Sequence, residues 1–294
     1  MNTRFAAFLA GVLVLALPSF AAGVDLGSLF NTVKQAVAPA DDQQEAAIGR
    51  DAAATLLGAS KPIQDPAVQA YVNKVGLWVA LHSDRPQLPW RFAVVDSDDI
   101  DAFAAPGGYV FMTRGLLLHM HNEAELAGVL GHEISHVVLK HHLKALQKAA
   151  RLELVSQGAQ YAAQQQGYNS DTDQALMDKV SNAARNLYST GLDKGDELDA
   201  DRAGVVLAAR SGYDPYGLLA VLQTLESVDP KSSSMQLLLA THPSPADRIA
   251  ALSAAMNAGK MDKYGNQQEG QARFEAVIKQ LIAAQAAKKK AGAK

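Results

Sequence analysis

The stretch His132-Glu133-Ile134-Ser135-His136 lies among Leu126, Val129, Leu130, Ile134, Val137 and Val138, so a fold of this chain has to bury a helix carrying two histidines and a glutamate. Residues four apart share one face of a helix, and imidazoles without partners are costly in an apolar interior. A metal ion held between them meets both constraints. The H-E-x-x-H pattern is that of zinc hydrolysis: both imidazoles bind the ion, and Glu133, beside the first, reaches the water on it. Asn122 and Glu125 have capping-box spacing ahead of the motif, and helical periodicity runs on to about Lys148.

A catalytic zinc site needs a third protein ligand and an open fourth position. The chain has no cysteine, so the candidates are carboxylates and other histidines. Downstream, Glu197-Leu198-Asp199-Ala200-Asp201 opens a predicted helix that runs to Gly212, with Glu197 and Asp201 on one face. Glu197 is the expected ligand and Asp201 the acceptor for the second nitrogen of a ligand imidazole, with Asp199 and Asp201 as alternative ligands. Without the upstream motif, this acidic turn would read simply as a helix start favoured by the helix dipole. His119, His121, His141 and His142 read as surface or helix-end residues, and His82 as the end of a helix.

With 294 residues, 48% hydrophobic and 19% charged, and a net charge of −3, the chain suits one catalytic domain with appendages. A nucleic-acid binder would carry a basic excess, so nucleic acid is not an expected partner. Arg4, apolar Phe5 to Leu17 and then Ser19-Phe20-Ala21 read as a signal peptide over residues 1–21, which implies export to the periplasm. Pro18 ends that run short of the roughly 20 residues a membrane span needs. Residues 22–44 read as a tether, 45–258 as the catalytic domain, and 259–294 as a C-terminal helix and basic tail. That tail, with Lys288, Lys289, Lys290 and Lys294, reads first as a solvated tail and second as a weak contact for anionic lipid or polymer surfaces. Peripheral association with a membrane or with envelope assembly machinery is the further partner expectation.

Scaffold elements are legible around the motif. Asp42 and Glu45 have capping spacing before a helix to about Leu57, and Asp65-Pro66 opens a second with Val68, Tyr71, Val72, Val75 and Val79 on its buried face. Trp90 to Val94 alternates as a strand, and Ile100 to Thr113 reads as two strands around the Ala105-Pro106-Gly107-Gly108 turn. Residues 152–187 have helical periodicity, and Asp214-Pro215 and Ser244-Pro245 each open a helix. The last helix displays Phe274, Val277, Ile278, Leu281 and Ile282 on one face.

Four blocks in order make the chain resemble the M48 family of gluzincin peptidases, in its exported bacterial branch, over about residues 45 to 255. They are Asp101 to Phe111 with Thr113 to Leu117; Gly131 to Val137; Glu197 to Gly204; and Thr241-His242-Pro243-Ser244 with Arg248-Ile249. The resemblance implies an α+β fold, a predominantly helical gluzincin-type domain with a small sheet beside the active-site helix. It implies one zinc per chain with Glu197 as third ligand, Asp201 behind a ligand histidine, His242 and Arg248 near the metal, and a role in envelope protein quality control. Two positions depart from the family pattern: Asp101, where asparagine is usual, and Asp199, where glutamate is usual.

The expected chemistry follows. Glu133 acts as general base, His242 or Arg248 stabilises the oxyanion, and Tyr109-Val110-Phe111-Met112-Thr113 serves as the sheet edge on which an unfolded, extended polypeptide adds as a strand. Alternatively, a periplasmic chaperone or assembly factor would use the same groove with latent proteolysis.

Overall fold

The computed structural model describes residues 41–149, 186–265 and 267–292. The predicted signal peptide, residues 22–40 of the predicted tether, all but the end of the 152–187 stretch, and the side chains of the basic tip lie outside them. Everything described belongs to the unit Pro39–Lys294.

Helix α1, Asp42–Ala59, opens on Asp41, whose side chain accepts from Gln44 N while Gln44 reaches back to Asp41 N. The cap thus sits one residue ahead of the expected Asp42 and Glu45 pair, because Glu45 points inward. Its buried carboxylate accepts from both terminal nitrogens of Arg85 (2.7 and 3.1 Å) and from the Gly107 amide (3.2 Å), and pairs with Lys140 Nζ (3.1 Å). Helix α2, Pro66–Leu81, starts as its sequence predicts, with Asp65 accepting from Ala67 N and Val68 N and proline in the first turn. Val68, Val72, Val75 and Val79 are buried.

Strands β1 (Arg91–Val95), β2 (Ala102–Ala105) and β3 (Tyr109–Thr113) form one sheet in the order β1-β3-β2. β3 runs parallel to β1 and antiparallel to β2. The β2–β3 turn uses Gly107 and Gly108 at φ 77° and 97°, a region closed to most side chains. The strand order corrects the substrate-strand expectation: Tyr109, Val110, Phe111, Met112 and Thr113 form the central strand, paired on both sides, so no extended chain adds there. The far side of β1 is taken by residues 61–63, through Ile63 N to Val94 O (3.0 Å) and Asp96 N to Lys61 O (2.8 Å). Among the described residues, β2 is the remaining edge.

After one turn of helix, α3 (Arg114–Leu117), comes α4, Glu123–Val138, capped by Asn122 Oδ1 on Glu125 N. It ends well before Lys148. Lys140 adopts a left-handed φ of 60°, and Arg85 donates to the Val137 carbonyl (3.4 Å), so the helix closes and residues 141–149 start a separate one. Helix α5, Lys194–Arg210, begins three residues before Glu197 and ends at Gly212, at φ 86°. Pro215 sits in a turn held by Asp214 on Tyr216 N, so α6, Gly217–Glu226, starts two residues past it. The short α7, Gln236–Thr241, leads to α8, Pro245–Ala258, which Ser244 caps as its sequence predicts.

One apolar core joins α2, the sheet, α4, α5, α6 and α8. The final helix α9, Gln271–Gly292, adds Phe274, Ile278 and Leu281 to it, while Ile282 from the predicted stripe faces solvent. Arg273 ties α9 to α4 through a bidentate pair with buried Glu123 (2.7 and 3.0 Å), which also accepts from Tyr71 and Tyr213 hydroxyls. The fold is thus predominantly helical with a small sheet, and among the described residues no helix is long and apolar enough to cross a membrane.

What brings α5 onto α4 is a glycine contact. A Cβ added to Gly204 would lie 2.7 Å from His132 N, and one added to Gly131 would lie 2.9 Å from Gly204 O. Both obstacles are backbone, so neither contact relaxes by moving a side chain. Gly204→Ala is expected to separate the helices, cost about 1–3 kcal/mol of stability by overpacking, and lower metal affinity by pulling Glu197 from the histidines. Thermal unfolding and chelator competition measure the two effects, and wild-type values in both would contradict this reading of the contact.

Candidate metal centre

Helical spacing puts His132, Glu133 and His136 on buried turns of α4, and the α4–α5 contact brings Glu197 and Asp201 against them. His132 Nε2 and His136 Nε2 lie 3.0 Å apart, with Glu197 Oε2 3.6 Å from the first and Oε1 3.6 Å from the second. His242, at the end of α7, brings its Nε2 to 3.5 Å from Glu197 Oε2. Ligand atoms of His132, Glu197 and His242 all fall within 4.8 Å of one another, and His136 joins them through its contacts with His132 and Glu197.

The residues fit a metal on chemical grounds. Glu197 Oε2 is buried and accepts no hydrogen bond, a costly state for a carboxylate unless a cation faces it. Imidazole nitrogens with one carboxylate suit a divalent transition metal. Burial alone would push a charge off His132, yet the Asp201 and Glu197 carboxylates outweigh it and raise this imidazole to about 9, so the pocket draws positive charge. Glu197 itself is held down to about 2: burial opposes its charge, and the facing His242, His132 and Arg248 outweigh it. Asp199, the spacing-based rival, is exposed and paired with Arg202 (2.8 Å), which points it away from the cluster.

Behind each imidazole stands a partner for its second nitrogen. His132 Nδ1 is 2.9 Å from Asp201 Oδ1, and Arg248 grips Asp201 through Nε (3.0 Å) and Nη2 (2.6 Å). Arg248 therefore lies on the Nδ1 side of His132, with Nη2 3.3 Å from that nitrogen. His136 Nδ1 meets His141 Nδ1 at 3.1 Å, and His141 Nε2 lies 3.7 Å from Asp196 Oδ1. His242 Nδ1 is 2.9 Å from Thr241 Oγ1.

Glu133 stays outside the ligand group, with Oε1 4.0 Å from His132 Nε2, and lines the pocket that opens on the cluster. Burial, reinforced by Glu197 against the opposing His132, raises its carboxyl to about 7. The same pocket is lined by Ala102 and Phe103 of edge strand β2, by Tyr188 and by His142. Tyr188 stacks on His142 (5.2 Å, 16°) and donates to the Ala104 carbonyl (2.9 Å).

Sequence alone places His141 and His142 at a surface or a helix end; they stand at the start of the helix over 141–149 and are turned inward. In an unbroken helix, a residue five past His136 would sit about 140° around the axis from it. The left-handed turn at Lys140 brings both rings back, His141 onto His136 and His142 to 5.3 Å from it. No local signal announces that turn, because lysine is not a residue that favours it.

Two substitutions separate these supports. Arg248→Ala is expected to weaken metal binding about 10–100-fold by freeing Asp201, and His141→Ala to do so by freeing His136. Chelator competition gives both values, and an Arg248→Ala protein with wild-type affinity and impaired turnover would return Arg248 to the reacting face.

The peptidase family M48 profile matches residues 66–256. The β-barrel assembly-enhancing protease of Escherichia coli K12 is 31% identical over 214 residues, covering 70% of this chain and 42% of that protein. Its Yersinia pestis counterpart is 34% identical over 215 residues, covering 70% and 43%. The mitochondrial metalloendopeptidase OMA1 of Bos taurus is 31% identical over 194 residues, covering 63% and 36%. The chain thus spans under half the length of these relatives. Four sequence blocks gathered at one buried His–Glu–His cluster, and a profile match across it, establish that the chain belongs to peptidase family M48.

Proposed function

We propose that the chain is a zinc-dependent endopeptidase that cleaves extended, locally unfolded polypeptides of the bacterial envelope. The observation that carries this reading is the unpartnered Glu197 Oε2 facing His132 and His242, with Oε1 toward His136 and Glu133 beside the cluster and outside it. His132, His136 and Glu197 would hold one zinc ion. Bound there, zinc supplies Lewis acidity and a lowered pKa for water.

Glu133 then takes a proton from water attacking the scissile carbonyl and passes it to the leaving amine. Burial raises this carboxyl above the usual glutamate range, the direction that favours holding the proton it takes until the amine leaves. Asp201, gripped by Arg248, keeps His132 oriented, and His141 does the same for His136.

His242 occupies the fourth corner of the cluster, so we read it as a resting ligand that the substrate displaces, not as a fixed oxyanion donor. On this reading His242→Ala raises turnover; a loss of about a hundredfold with metal retained would make it the donor.

The substrate reading moves to β2, an edge strand among the described residues, which borders the pocket through Ala102 and Phe103. Main-chain pairing along an edge gives affinity with little sequence preference and excludes folded chains. The Tyr188 hydroxyl on Ala104 O would yield to such a strand. Export to the periplasm rests on the pattern of residues 1–21, and an envelope role on the relatives named for β-barrel assembly.

Glu133→Gln tests the reading. It is expected to keep one zinc per chain and to abolish cleavage of unfolded casein, while wild type cleaves unfolded casein and spares a folded control. Turnover near wild type in Glu133→Gln would remove the mechanism. A zinc-loaded wild type that suppresses aggregation without cutting would favour the chaperone reading instead.

A further inference from the structure

We propose that Asp101, acting with Thr241, is a positioning residue that holds the His242 imidazole with Nε2 toward the metal cluster. This rests on the metal reading above and adds to it the device that fixes the fourth corner.

Asp101 is 1% exposed, and among the described residues the one basic group within 4 Å of its carboxylate is His242, whose Nδ1 is 3.5 Å from Oδ1. The residue cannot swing aside. Its backbone is bonded at both ends to Thr113, through Asp101 N to Thr113 Oγ1 (3.1 Å) and Thr113 N to Asp101 O (2.9 Å). Oδ1 also accepts from Ala102 N (3.0 Å).

Thr241 connects the carboxylate to the ring. Its Oγ1 lies 3.3 Å from Asp101 Oδ2, 2.8 Å from the Leu237 carbonyl and 2.9 Å from His242 Nδ1. On this proposal the hydroxyl proton goes to one of those oxygens, Oγ1 accepts from His242, and the imidazole proton sits on Nδ1, which leaves Nε2 with a lone pair. It faces Glu197 Oε2, another acceptor, at 3.5 Å with no donor between them. Two acceptors turned toward each other in a buried site are reconciled by a shared cation.

Asp101 is not in the ligand group; it lines the pocket that Glu133 also lines, and its backbone bonds would survive any side chain. A carboxylate behind an imidazole fixes its tautomer and raises its strength as a ligand, and loss of such a partner costs about 10–100-fold in metal affinity.

The test uses cobalt in place of zinc on the full chain. Asp101→Asn keeps the shape and the bond to Ala102 N. It is expected to weaken cobalt binding about tenfold and to shift the visible bands toward those of His242→Ala. In a His242→Ala background, Asp101→Asn is expected to change neither quantity further. Wild-type bands and affinity in Asp101→Asn would overturn the inference, and so would an equal loss in both backgrounds. Should Asp101→Asn fail to fold, Thr241→Val carries the same pair of comparisons. A wild type that takes up no cobalt overturns the metal reading and this inference together, whereas cobalt uptake with an unchanged Asp101→Asn overturns this inference alone.

Discussion

His132 Nε2 and His136 Nε2 face each other at 3.0 Å, and Glu197 spans them at 3.6 Å from each. Their outer nitrogens are already committed, to Asp201 on one ring and His141 on the other. Both Nε2 atoms and the Glu197 carboxylate therefore converge in a buried volume in which Glu197 Oε2 has no hydrogen-bond partner, a state that water-excluding packing makes expensive. The rest of the domain follows from tolerating that convergence. The α4–α5 glycine contact exists to bring a carboxylate to the histidines, and the Arg248–Asp201 pair places a buried cation where it supports a ligand and not where it would repel a metal.

The core and the site are one construction. α4 presents Leu126, Leu130 and Ile134 to the core and His132 and His136 to the cluster, so the packing that stabilises the fold also fixes the ligand geometry. Glu45 extends the same logic from α1. By holding Arg85, Lys140 and Gly107 it pins both the end of α4 and the β2–β3 turn, and so sets where His141 and the edge strand lie. Burial opposes its charge, but Arg85 and Lys140 outweigh that and hold its carboxyl below the usual range.

Much of this was legible because it is local. Helical spacing within 132–136 and 197–201 needs only a period of 3.6, and the Asp65-Pro66 and Ser244-Pro245 starts need only capping chemistry. What could not be read depends on distant partners. The α4 break at Lys140 is stabilised by Glu45 and Arg85, so the sequence shows His141 and His142 as surface or helix-end residues and not as neighbours of His136. The Arg248–Asp201 pair joins residues 47 apart in the chain, so no local pattern announces it. The place of Tyr109–Thr113 in the sheet did carry a signal: Val110-Phe111-Met112 is an unbroken apolar run, which suits a strand buried on both faces better than an edge.

The central claim is that three residues from two helices share one zinc ion. Anomalous scattering at the zinc absorption edge, from crystals of the zinc-loaded chain, tests it directly. The account predicts a single peak about 2.0–2.2 Å from His132 Nε2, His136 Nε2 and a Glu197 oxygen. A peak bonded through Asp199 or Asp201, or no peak between the two histidines, would contradict it.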